Sequence, residues 1–166
     1  MCGGLDANWL SSATSGLSEG KCNGATDPAI QMNEPRYTPE EFTRRSGNAK
    51  IDTELRRWLR SQAVPQRIGF IEALFPQNYR YALSLVRSSQ LPIEEVTRLL
   101  QHWLTSASHN CSQGLIEGLI PMLGEARFWD IAAQTELTPA MADFLNYHSH
   151  GKLNRYKEAA TSAGRQ

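Results

Sequence analysis

From Ile51 onward, apolar residues recur every three or four positions, and no strand-length run alternates apolar with polar residues. That periodicity predicts helices and excludes strands. Leu55, Trp58, Leu59 and Ala63 fall on one face of a first long helix, with Arg56, Arg57 and Arg60 on the other side and Pro65 closing it. A second helix runs through Ile68, Ile71, Leu74 and Phe75 to Pro76. A third carries Tyr79, Ala82, Leu83, Leu85 and Val86. Leu91-Pro92 opens a fourth, with Ile93, Val96, Leu99, Leu100, Trp103 and Leu104 on its apolar stripe.

Upstream, Thr38-Pro39-Glu40-Glu41 has the chemistry of a helix start. Thr38 can cap, Pro39 suits the first helical position, and Glu41 stands where a capping box needs it. Ser46-Gly47-Asn48 keeps that helix short. Residues 1–35 are rich in Gly, Ser, Ala, Asn and Asp, and their apolar residues (Leu5, Trp9, Leu10, Leu17) keep no period. They read as a flexible, disordered N-terminal arm: a tether, a segment that folds on binding, or a leader of the type III export kind.

An ungapped self-comparison is the most informative pattern. Residues 55–76 match residues 100–121 at nine of 22 positions, among them Leu55/Leu100, Trp58/Trp103, Gly69/Gly114, Glu72/Glu117 and Pro76/Pro121. Chance pairing at average residue usage gives about one or two. The match thins downstream, where Leu83 and Val86 meet Phe128 and Ile131. The offset of 45 residues lies in the range of helical repeats of the HEAT and armadillo kind, without a signature motif of either family. The expected architecture is an all-α array or bundle over residues 36–150, built from two tandem helical units at about 55–99 and 100–146. A basic tail, residues 151–166, follows. Within each unit Trp58 or Trp103 is a large apolar anchor. Gly69 and Gly114 let helices approach, and Pro76 and Pro121 stop the second helix.

Composition narrows function more by exclusion than by indication. The formal net charge is zero, so no global field draws the chain to nucleic acid or membrane. Three irregularly spaced cysteines (Cys2, Cys22, Cys111) make no disulfide framework, which points to a reducing, cytoplasmic setting. No apolar stretch reaches spanning length, and the start lacks the pattern of a secretory signal. Cys2 rather than glycine at position two excludes N-myristoylation, leaving palmitoylation of Cys2 as the lipid option.

Local charge is uneven. Arg36, Arg44, Arg45, Lys50, Arg56, Arg57, Arg60 and Arg67 meet only Glu40, Glu41, Asp52 and Glu54, whereas residues 90–146 are acidic. This polarity points to a non-enzymatic protein–protein interaction module, an adaptor or regulator. Arg56, Arg57, Arg60 and Arg67 would face a partner with an acidic surface, and the polarity also suits head-to-tail homo-oligomers.

The alternative is a small nucleic-acid-binding regulator that uses either the Arg56/Arg57/Arg60 face of the first long helix on phosphate or a helix-turn-helix-like segment. Ile131 to Leu145 resembles a helix-turn-helix, with Ala132, Leu137 and Leu145 at small or buried positions and Glu136 in place of the turn glycine. That resemblance implies contacts from Thr138 and Asn146, with Lys152 and Arg155 behind them on phosphate. A third reading, an all-helical metal protein or enzyme, would use Glu72, Glu117 and His102. His148/His150 and His109/Cys111 lack a second half at metal-site spacing, and no nucleophile or phosphate-loop motif is present. The sequence therefore predicts no catalytic residue, metal or cofactor.

Overall fold

The structure, a computed structural model, describes residues 37–45 and 48–163 and is all-α, with no strand among them. The helices are α1 (Pro39–Arg45), α2 (Ala49–Ser61), α3 (Val64–Leu74), α4 (Tyr79–Ser88), α5 (Ile93–Ser106), α6 (Ser112–Leu123), α7 (Glu125–Gln134), α8 (Pro139–Ser149) and α9 (Lys152–Ala163), with one 3-10 turn at His109–Cys111. The proposed N-terminal arm, with Trp9, Cys2 and Cys22, lies outside the described residues. No helix among them is long and apolar enough to cross a membrane.

Side-chain caps set the starts of four helices. Thr38 Oγ1 accepts from the Glu41 amide at 3.3 Å ahead of Pro39. Asn48 Oδ1 accepts from the Lys50 and Ile51 amides at 3.0 and 3.4 Å. Asn78 Oδ1 takes the Tyr81 amide at 3.1 Å, and Thr138 Oγ1 the Met141 amide at 3.2 Å. Each cap satisfies a donor that a helix start otherwise leaves open.

Helix α6 is the hub. It packs on α4, α5, α7 and α8, and its Leu115, Leu119 and Leu123 are buried. Around it one continuous core joins Leu55 and Leu59 of α2, Ile71 and Leu74 of α3, Leu85 and Val86 of α4, Leu99, Leu100, Trp103 and Leu104 of α5, and Phe128 and Trp129 of α7. Trp103 is buried and stacks on Phe75, ring centroids 4.1 Å apart at 14°. Trp58 sits at the rim, edge-on to Tyr37 and Phe70. The aligned segments thus fold as α2–α3 and α5–α6, but equivalent residues do not all have equivalent surroundings.

Four expectations are corrected. Pro65 does not close α2; it opens α3, where a helix start has no use for its missing N–H, and α2 has already ended at Ser61. Ala63 accordingly leaves the apolar face of α2 and is exposed. Pro121 does not stop α6, which runs on to Leu123. The carbonyl it deprives of a partner belongs to Glu117, an exposed residue where water can substitute. The helix stops instead at Gly124, whose φ of 81° turns the chain directly into α7. Gly69 does not mediate a close approach: a Cβ built there meets nothing within 4 Å, whereas at Gly114 it falls 2.8 Å from Tyr79 Cε2. Finally, the basic C-terminal segment, where described, is not a tail apart from the domain: Lys152–Ala163 forms α9, packed on α7 and α8 with Leu153 fully buried.

Candidate functional site

Three helices converge on a groove of 760 Å³ whose lining includes Arg56 of α2, Arg80, Leu83, Ser84 and Arg87 of α4, and Glu117 of α6. Arg80, Ser84 and Arg87 repeat at helical spacing, so one face of α4 carries them all. The floor is low because α6 offers Gly114 and Gly118 there. A Cβ at Gly118 would lie 3.2 Å from Leu83 Cβ, so α4 sits nearly on the α6 backbone.

Arg56 is shared with a second, smaller depression of 290 Å³ on α2, lined by Thr53, Arg56, Arg57 and Arg60. The two form a continuous arginine surface across α2 and α4.

These arginines divide into structural and available ones. Arg56 Nε pairs with Asp52 at 2.9 Å, and its two other nitrogens donate to the Ser84 carbonyl and hydroxyl at 3.1 Å each. Partial burial works to raise the Asp52 pKa, but hydrogen bonds from Arg56 and Tyr81 and the Arg56 charge outweigh it and hold the carboxyl below its ordinary value. Tyr81, donating to Asp52, is pushed up first by burial and then by that carboxylate. Arg60 Nε donates to the Ser88 carbonyl at 2.8 Å. Arg67 is tied to the backbone, with Nε on Gln62 O at 2.8 Å and Nη1 on Ser89 O at 2.7 Å.

Arg57 and Arg87 are exposed and make no hydrogen bond or ion pair among the described residues. Arg80 touches only its neighbour, Nε on the Tyr79 hydroxyl at 3.3 Å with the guanidinium over that ring. The one carboxylate lining the groove, Glu117, accepts from Gln113 Nε2 at 2.8 Å. The groove therefore carries surplus positive charge with unused donors, suited to carboxylates or other anions.

Of the arginines that the sequence singles out, Arg56, Arg57 and Arg60 line the two depressions and Arg67 lines neither, while Arg80 and Arg87 of the groove are not among them. Their seven-residue spacing on α4, across the helix from the buried Ala82 and Leu85, was the available signal. The convergence with Glu117 and Gly118 exists only through the α4–α6 crossing.

The residues of the helix-turn-helix-like reading have internal duties. Thr138 caps α8. Asn146 donates to Asn154 Oδ1 at 2.9 Å and accepts its amide at 3.1 Å, joining α8 to α9. Lys152 pairs with Glu125, and Arg155 leans on the His150 carbonyl. Helices α7 and α8 make little contact with each other; each packs chiefly on α6 and α9.

The metal or enzyme reading named Glu72, His102 and Glu117. Glu72 and His102 line a separate cavity of 380 Å³ beside Cys111, while Glu117 lies in the arginine groove. No group of three or more metal-binding side chains occurs among the described residues. In the smaller cavity Ser106 Oγ donates to the His102 carbonyl at 2.6 Å, and the Cys111 thiol donates to Ser108 O at 2.9 Å. Burial pushes that thiol up to about 11, which keeps it protonated and a poor nucleophile. Compared with protein-family models, curated proteins and solved structures, the chain matches none, so its function has to be read from its own residues.

Proposed function

We propose that the protein is a non-enzymatic interaction module, an adaptor or regulator, that docks an acidic segment of another protein in the groove between α2, α4 and α6. The observation behind this reading is the convergence of Arg56, Arg80 and Arg87 on one groove with Arg57 and Arg60 beside it, against the single carboxylate of Glu117. Arg56 is held rigid by Asp52 and Ser84 and shapes the site, while Arg57, Arg80 and Arg87 present free donors. A partner carboxylate can take a guanidinium in two parallel bonds, and preorganised arginines lose little freedom in making them. Helices commonly serve as such scaffolds, presenting a rigid face with no reaction centre. The free, buried Cys111 fits a cytoplasmic setting.

The test is affinity capture from a nuclease-treated lysate with the wild-type chain and the double variant Arg80→Glu/Arg87→Glu, matched for helicity. A protein held by the wild type and released by the variant is the expected result. Identical capture by both chains overturns the reading. Capture that disappears with nuclease transfers the same arginines to the nucleic-acid alternative, in which they contact phosphate.

A further inference from the structure

Helix α8 buries Met141, Leu145 and Ser149 and turns Asp143, Phe144 and Tyr147 outward. Phe144 is 38% and Tyr147 77% exposed, and they are the large apolar side chains that the described residues leave in solvent. Three residues apart, they are neighbours on the helix surface. With Asp143 they line an open depression of 420 Å³. Two imidazoles steady the rings. His109, from the turn before α6, lies 4.6 Å from Phe144, and His148 lies 6.2 Å from Phe144 and 5.1 Å from Tyr147, centroid to centroid.

We propose that this face of α8 is a second docking surface, separate from the arginine groove, and that it takes an arginine- or lysine-bearing segment of another protein. Two aromatic rings and a carboxylate around one depression match the chemistry of a guanidinium or ammonium. The rings offer their negative faces, and Asp143 supplies the counter-charge. The surroundings favour the same occupant. No Lys or Arg occurs from Phe128 to Gly151, whereas Asp130, Glu136 and Asp143 are exposed there. The next cation, Lys152, is already paired with Glu125. A purely apolar partner would cover Asp143 without compensating its charge, a costly arrangement. An acidic segment in the groove and a basic one on α8 would make the chain a bridge between two partners of opposite charge.

The test uses the full chain and two fluorescein-labelled short peptides, one alternating arginine with glycine and one alternating glutamate with glycine, read by fluorescence anisotropy. The basic peptide should bind the wild type. Tyr147→Ala and Asp143→Asn should each weaken it about fivefold or more, the range of a partly desolvated cation–π or charged contact. Arg57→Glu/Arg87→Glu should not weaken it. Both α8 variants alter exposed side chains, and circular dichroism checks that they fold. Equal affinity in the wild type and Tyr147→Ala overturns the proposal, because attraction to the acidic half alone then suffices. Sedimentation showing oligomers that Tyr147→Ala dissolves also overturns it, assigning the face to a second copy. Binding of the basic peptide without the glutamate peptide supports the α8 surface and counts against the groove reading alone.

Discussion

The guanidinium of Arg56 crosses from α2 to α4 and donates to both the carbonyl and the hydroxyl of Ser84, each at 3.1 Å. Its third nitrogen stays on Asp52 within α2, so one side chain fixes the spacing of two helices and the edge of the groove. Arg56→Ala removes these contacts and should lower unfolding stability by about 1.5–3 kcal/mol, the range for hydrogen bonds to charged groups. Arg56→Lys keeps the charge but not the planar fork, and should recover less than half of the loss. Urea midpoints with an unchanged slope are the measurement.

The Asp52 cluster sets an acid limit. Arg56 and Tyr81 together hold the folded carboxyl below its unfolded value, against the opposing effect of burial. The sign follows: the ionised form is favoured in the folded state. This contribution is therefore complete above the unfolded value, about 3.9. It is lost as the pH falls through the lower, folded value. Tyr81→Phe removes one donor, so the Asp52 titration should move upward and the acid loss should begin at higher pH. Asp52→Asn should remove this part of the acid slope. Urea midpoints between neutral and acidic pH, with the Asp52 titration followed by NMR, check both.

The stripes on α2, α4 and α5 could be read from spacing because burial there follows helical period: Leu55/Leu59, Ala82/Leu83/Val86 and Val96/Leu99/Leu100/Trp103 are all buried. Proline was the ambiguous signal. A proline suits the first turn and disrupts the interior, and at Pro65 both readings fit the local sequence. Helix α9 escaped notice because Leu153 and Tyr156 are its core contacts amid charged and small residues. Of the groove's three arginines only Arg56 was legible, as part of the α2 stripe. The rest depends on which helices cross, and no periodicity encodes the meeting of Arg80 and Arg87 with α6.

Gly69 and Gly118 should answer alanine in opposite directions. A Cβ at Gly69, inside α3, meets nothing within 4 Å, so Gly69→Ala should raise stability by about 0.5–1 kcal/mol through helix propensity alone. At Gly118 the new atom would come 3.2 Å from Leu83 Cβ, which cannot swing aside without moving α4. The overlap should cancel the propensity gain and leave a net loss of about 1 kcal/mol. Paired thermal melts of the two variants decide this. Equal stabilisation by both would contradict the close α4–α6 crossing that gives the groove its floor.

Cys111 should be chemically quiet while the chain is folded. It is buried, donates to Ser108 O, and titrates only at about 11. In a Cys2→Ser/Cys22→Ser background, iodoacetamide at mildly alkaline pH should label it slowly in buffer and fast in urea. The raised value also gives an alkaline slope. The protonated thiol is favoured by folding, so its contribution is complete below the ordinary thiol value of 9.0 and is lost as the pH rises through about 11. Cys111→Ala should abolish that part of the slope. Labelling equally fast in buffer and urea would show the thiol to be open in the native state.

Asn146 separates a structural from a nucleic-acid role for α8. Its amide group takes both the side chain and the backbone amide of Asn154, two contacts that fix the start of α9 against α8. Asn146→Ala loses both and leaves the Asn154 amide without its cap, so stability should fall by about 1–2 kcal/mol. If the residue instead reads a base edge, the variant should keep its stability and lose sequence-specific affinity for duplex DNA. A thermal melt and a duplex titration on the same preparation distinguish the two. Lower stability with unchanged, weak and salt-sensitive DNA affinity is the outcome the α8–α9 contact requires, because both polar atoms of Asn146 are already oriented by Asn154 and turning them to a base edge would break that contact.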